Sequence, residues 1–297
     1  MPTLSDVIAA LEILWPPERA ESWDAVGLVC GYPDAQVSRV LFAVDPVQSV
    51  ADEAAARGAQ LLVTHHPLYL RGTTTVAPTG PAGFKGRVVH TLIGNDIALH
   101  VAHTNADRAD PGVSDALAAA VGLRVTAPLV PDPSDPAGRR GLGRICELDA
   151  PLALADFADQ AARGLPATAT GLRVAGDSKQ LIRTVAVCGG SGDSLFDDVR
   201  DAGVDAYLTA DLRHHPASEA QQAGLFSDGR PSLVDAAHWA TEWPWCELAS
   251  KQLHKISERH GWDLRISVSE QVTDPWTAHS PSVFRTAPTF EPPGAPR

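Results

Sequence analysis

Residues 4–15 alternate apolar and polar side chains at helical spacing and stop at Pro16-Pro17, which predicts a short helix. Val37–Val44 is mostly apolar and β-rich, the pattern of a buried strand. Ser49–Arg57 is Ala-rich and amphipathic, a helix, with Gly58 suited to the left-handed position just past its end. Gln60–Thr64 (QLLVT) predicts a second strand, Thr73–Gly83 a loop and Gly86–Ile93 a helix. Ile97–Ala102 (IALHVA) predicts a third strand and Ser114–Val121 a helix closed by Gly122. Strands alternating with helices in this order predict an α/β fold with a parallel sheet. Residues 126–143, rich in proline and glycine, read as an irregular connection. Beyond it come a strand at Leu142–Leu148, a helix at Leu152–Arg163, a strand at Thr184–Val187 and a turn at Gly189–Gly192. A helix at Ser194–Ala202, strands at Ala206–Thr209 and Ser232–Val234, a long helix at His238–Gly261 and a strand at Leu264–Ser269 complete the pattern. Six prolines within residues 275–297 predict a loosely ordered tail.

The chain compares with itself. VLFAVD, a helix and RGAQLLVTHHP (40–67) parallel VAVCGG, a helix and DAGVDAYLTADLRHHP (185–216). Each has a strand, a turn, a helix, a glycine, a strand ending in Thr and then His-His-Pro, which reads as two copies of one βαβ unit. Shared βαβ composition is the competing explanation. The division that follows is a first α/β lobe over 1–125, a second over 126–270 and the tail over 275–297.

Composition narrows the function classes. The chain has 297 residues, a 44% hydrophobic fraction and a net charge of −12. That hydrophobic content suits a folded core. The acidic balance opposes general nucleic-acid or anionic-membrane binding. No stretch approaches the ~20 apolar residues of a membrane span, and the N-terminus lacks the basic residue of a signal peptide. Cys30, Cys146, Cys188 and Cys246 form no CxxC pair and read as buried free thiols in a reducing, cytoplasmic setting.

Histidine carries the chemistry. In an open parallel sheet, ligands bind beyond the carboxyl ends of the strands. QLLVT is followed at once by His65-His66, IALHVA by His103 and Asp107, and the strand at 232–234 by Asp235, His238 and Glu242. A spacing of four puts His238 and Glu242 on one helix face. Imidazole with carboxylate suits zinc, iron(II), manganese or nickel. His65, His66, Asp107, His238 and Glu242, with His103 as a sixth donor, exceed what one tetrahedral ion needs. They suit a pair of divalent ions, with zinc, iron or manganese the expected metals. Asp45, after the first strand, could orient a ligand histidine or cap the following helix. Gly189–Gly192 (GGSG) could be a tight turn or a phosphate cradle. His103 and His215 are candidate proton shuttles. Arg71, Arg108 and Arg213 lie near these motifs in sequence and favour a small anionic ligand.

These segments together resemble the GTP cyclohydrolase I type 2 homologues, the Nif-three-like proteins. The resemblance rests on WDAVGLVCG (23–31), VTHHPL (63–68), HTNADRADPGVSDALA (103–118), VAVCGGSG (185–192), DAYLTADLRHH (205–215) and DAAHWATE (235–242). Ala25 and Ala210 depart from the family's Asn and Gly. The resemblance implies two similar lobes with mostly parallel sheets and a dinuclear metal centre between them. It implies ligands at His65, His66, Asp107, His238 and Glu242, with His103 as ligand or neighbour. It also implies a toroidal homohexamer in the short form without an inserted domain. The expected activity is metal-dependent hydrolysis of a nucleotide-like substrate, and a non-catalytic metal-binding or regulatory scaffold is the alternative.

Overall fold

Two sheets meet across one long helix. The computed structural model describes residues 1–226 and 229–280. The first part of the chain forms α1 (Leu4–Leu14), β1 (Gly27–Cys30), β2 (Arg39–Ala43), α2 (Gln48–Ala56), β3 (Leu61–Thr64), α3 (Gly83–Gly94) and β4 (Ala98–Val101). A short α4 (Thr104–Asp107) and α5 (Val113–Ala120) follow, then β5 (Arg124–Pro131), β6 (Gly141–Ala153), α6 (Leu154–Gly164) and β7 (Arg173–Ala175). The last part holds β8 (Leu181–Ser191), α7 (Phe196–Ala202), β9 (Ala206–Ala210), α8 (His214–Gly224), β10 (Ser232–Ala236), α9 (His238–His260) and β11 (Arg265–Val268).

The first sheet has the order β1-β4-β3-β2-β11, parallel except for β1. Its central strands β2, β3 and β4 are buried on both faces, which is why they read as continuous apolar runs. Val40, Phe42, Leu61 and Val63 pack against α1 and α9 through Leu4, Leu11, Trp245 and Leu253. Leu41, Leu62 and Leu99 point the other way, onto Val50 and Ala54 of α2 and Val88 and Leu92 of α3. The second sheet has the order β5-β6-β8-β9-β10-β7; β8, β9 and β10 run parallel, flanked by antiparallel strands. α9 leaves β10 of the second sheet and packs on β2 and β11 of the first, so its first turns lie in the junction. There Arg144 of β6, 1% exposed, holds Asp115 of α5 and the Ala109 carbonyl just past Asp107.

Several elements differ from the sequence expectation. Part of the 126–143 connection is strand: β5 carries Pro128 and Pro131 because it is an edge, paired only with β6, where a missing N–H is tolerated. The Gly189–Gly192 segment is not a turn; β8 continues through Ser191. Gly58, Gly122 and Gly261 take the left-handed conformation past α2, α5 and α9. All four cysteines are free, and burial pushes the Cys146 and Cys188 thiols up to about 12. The proline-rich tail expected over 275–297 falls outside the described residues from 281 onward. Among the described residues, no helix is long and apolar enough to cross a membrane.

Candidate metal centre

Three ends converge in the junction between the sheets. β3 delivers His65 and His66 and β4 delivers His103 with α4. β10 leads into α9, whose first turns carry His238 and Glu242. Each histidine is held the same way. His65 Nδ1 donates to the Ala102 carbonyl (2.9 Å), His66 Nδ1 to Asp45 Oδ1 (2.7 Å), His103 Nδ1 to Asp24 Oδ1 (2.8 Å) and His238 Nδ1 to Asp211 Oδ2 (2.7 Å). Fixing Nδ1 as the donor leaves Nε2 of each ring with its lone pair for another partner, the arrangement that surrounds metal-bound imidazole.

The free ends meet around Glu242, 3% exposed. Its Oε1 lies 3.0 Å from His238 Nε2 and 3.4 Å from His65 Nε2, and its Oε2 lies 3.0 Å from His66 Nε2. His66 and His238 face each other Nε2 to Nε2 at 3.2 Å. Asp107 Oδ1 is 3.6 Å from His65 Nε2. Ligands about 2.0–2.2 Å from one ion sit roughly 3.0–3.6 Å apart at right or tetrahedral angles, so these spacings fit shared cations. Two overlapping donor groups result, His65-His66-His103 and His66-His238-Glu242, joined at His66. His65 Nε2 and Glu242 Oε2 are buried with no aligned hydrogen-bond partner, despite their close neighbours. That combination of convergent lone pairs and orphaned buried donors fits a divalent metal.

The charges are strongly coupled. Burial works against ionisation of Glu242, but the imidazoles of His66, His238 and His65 hold its carboxyl well below the usual range. Burial works against protonating His238, yet the Glu242 charge and the Asp211 hydrogen bond push it up to about 10. His66 is raised by the same opposition, with Glu242 and Asp45 outweighing burial. Without metal the cluster therefore holds protons that a cation must displace.

Backbone shape makes room for the carboxylate. Gly190 of β8 has φ +70°, and a Cβ there would stand 2.4 Å from Glu242 Oε1 and 3.2 Å from His238 Nε2. Gly190 of GGSG thus admits Glu242, and the phosphate-cradle reading gives way to a close approach by a side chain of α9. Its neighbours Thr241 and Thr209 fix that backbone: Gly190 N donates to Thr241 Oγ1 (2.8 Å) and Thr209 Oγ1 donates to the Gly190 carbonyl (3.1 Å).

Two cavities flank the cluster, and His66 and His238 line both. The one beside His103, about 520 Å3, is walled by Trp23, Thr104 and the Gly189–Ser191 backbone. The other, about 590 Å3, is walled by Asp45, Asp211, Trp239 and Trp276. Asp45 bonds His66 and caps no helix: α2 has Val47 at its N-cap and no side-chain cap bond. His215 is not brought to the cluster; it stands exposed at the start of α8 with its ring against His214. Arg108 is paired with Glu21 and Arg213 with Asp193, and Arg71 is exposed. Sequence reasoning did not single out Asp24 or Asp211. Asp211 had a signal, since it lies two residues past Thr209 as His66 lies two past Thr64; Asp24 had only its place in WDAVGLVCG.

The family description Duf34/NIF3 (NGG1p interacting factor 3) matches residues 2–275. A Streptomyces coelicolor protein named GTP cyclohydrolase 1 type 2 homolog is 70% identical over 296 residues, covering 100% of both chains. A Mycobacterium tuberculosis protein of the same name is 37% identical over 92% of this chain and 96% of its own. A crystal structure of a Bacillus cereus protein related to NIF3 superposes with a TM-score of 0.83 at 25% identity, covering 93% of this chain and 98% of the other. The chain belongs to the Duf34/NIF3 family.

Proposed function

We propose that this Duf34/NIF3 chain is a metal-dependent hydrolase with a dinuclear divalent centre, acting on a nucleotide-like substrate. The convergence of four imidazoles and two carboxylates, among them the orphaned Nε2 of His65 and Oε2 of Glu242, carries the reading. His65, His66, His103, Asp107, His238 and Glu242 would hold the ions, with zinc, iron or manganese as the metals suited to this donor set. When bound, such a pair supplies Lewis acidity and lowers the pKa of water toward ~7. Glu242, whose Oε1 faces His238 and His65 and whose Oε2 faces His66, would be a carboxylate ligand of the centre. Asp24 fixes the His103 ring through Nδ1, so its Nε2 at the cavity wall would either complete the metal ligands or, unligated, give or take a proton. His215, far from that wall, keeps no such place in the mechanism. The cavity beside Trp23, about 520 Å3, is of a size for a small organic substrate. The nucleotide class comes from the relatives' names.

The reading includes a cytoplasmic homohexamer, checked by light scattering. A second reading, a metal-carrying or regulatory scaffold without turnover, is favoured by one observation. No Lys or Arg among the described residues lines the His103 cavity to hold a phosphate. Metal-loaded protein assayed on GTP and a phosphoester panel separates the two. Turnover abolished by Glu242→Gln with an unchanged circular dichroism spectrum supports the hydrolase; full metal content with no turnover across the panel supports the scaffold.

A further inference from the structure

The metal donors sit at the carboxyl ends of the first sheet, and the amino ends of the same strands carry a different cluster. Arg39 opens β2 and Arg265 opens β11, and the parallel register sets Arg39 against Arg265. Register partners on neighbouring parallel strands point to one face about 5 Å apart. Val40 and Ile266 pack on the α1–α9 side, so Arg39 and Arg265 face the α2–α3 side. There Arg57, just past the end of α2, adds a third guanidinium. The three line a cavity of about 250 Å3 with Val40, Ala59, Ile266 and Ser267, and no carboxylate among the described residues lines it.

Of the three guanidiniums, only that of Arg57 has a carboxylate partner among the described residues. Arg39 Nη1 donates to the Arg57 carbonyl (3.0 Å). Arg57 Nη2 pairs with Glu53 Oε1 (2.7 Å), and Glu53 is itself fixed by Ser269 Oγ (2.6 Å) and Gln271 Nε2 (2.8 Å). The Arg265 side chain has no partner among the described residues. Like charges directly opposite on paired strands destabilise a sheet. This chain, with a net charge of −12, nevertheless groups three of its cations here.

We propose that this cluster is an anion site for a phosphate dianion, either free or as the monoester end of a small metabolite. The planar guanidinium fork matches phosphate oxygens bidentately. The cavity is smaller than the usual range for drug-sized ligands, so it suits the phosphate itself and leaves any attached group outside. The anion would relieve the repulsion between Arg39 and Arg265 and tie β11, an edge strand, to the end of α2. The alternative role for Arg265, guarding that open edge against another chain, requires no anion.

The test is thermal unfolding and calorimetric titration of the full chain with inorganic phosphate, against chloride at equal ionic strength and pH. Glycerol phosphate provides a second arm. Phosphate is expected to raise the midpoint above chloride, and Arg39→Gln or Arg265→Gln to weaken binding about tenfold each. Tighter binding of either phosphate form supports the site and identifies its source. Because a metal centre also takes phosphate, the series is repeated with chelator-treated protein and with His65→Ala/His66→Ala, where the phosphate effect should persist. In chloride alone, Arg265→Gln should be no less stable than the parent. Equal midpoints in phosphate and chloride would overturn the proposal. So would an effect that survives both arginine substitutions, or one that vanishes with the metal donors.

Discussion

The units β2–α2–β3 and β8–α7–β9 end on the same Thr and the same His-His-Pro, with nothing between in the first and four residues between in the second. Both are parallel βαβ units. In the first, His65 and His66 stand directly beyond the strand, in the crevice. In the second, the matched positions hold Ala210 and Asp211, and the histidines open α8 on the exposed surface. Asp211 still serves the site, because it orients His238. The comparison teaches that the place beyond the strand end, rather than the motif, decides the role. A side chain one or two residues past a strand is aimed by the sheet, whereas one five residues past it is aimed by whatever element comes next.

Breaking the first unit should have the largest effect. His65→Ala/His66→Ala removes donors from both groups and should abolish metal content by elemental analysis. That loss should exceed the 10–100-fold cost typical of an outer hydrogen-bonding partner. Gly190→Ala should come next, because its Cβ would collide with Glu242 Oε1 at a backbone φ of +70°; chelator competition should show weakened metal binding with the fold retained. Asp211→Asn and Asp45→Asn sharpen the comparison across the two units. Each should lower metal affinity roughly 10–100-fold, and similar losses would mean that both units contribute support.

The pH dependence follows from the same charges. His238 is raised to about 10, so below that pH the metal-free protein holds a proton there that binding must release. Apparent metal affinity should therefore rise with pH between 6 and 9, and competition titrations across that range check it. The smallest effect belongs to His214→Ala/His215→Ala. Metal content should be unchanged and stability should move by no more than about 0.5 kcal/mol, as for exposed substitutions generally.

Much of this was legible in the chain because both sheets bury their central strands as apolar runs. His65, His66, His103, Asp107, His238 and Glu242 were legible for a related reason, since each follows a strand end within a few residues or lies one helical turn on. Asp24 and Asp211 were not singled out because each acts through a histidine 79 or 27 residues away in sequence. β5 was hidden by its prolines, which an edge strand tolerates. The role of GGSG was hidden because Gly190 makes room for a carboxylate distant in the chain, while Gly189 and Gly192 pack against Val113 and Tyr207.

The central claim is that separate strand ends bring donors to one point that holds a cation pair. Diffraction from crystals of the metal-loaded protein, recorded at the metal absorption edges, tests it directly. Two anomalous peaks per chain are expected, both within the cluster of His65, His66, His103, Asp107, His238 and Glu242, with His66 Nε2 serving one of them. A single peak, or scattering away from Glu242 in a fully loaded crystal, would contradict it.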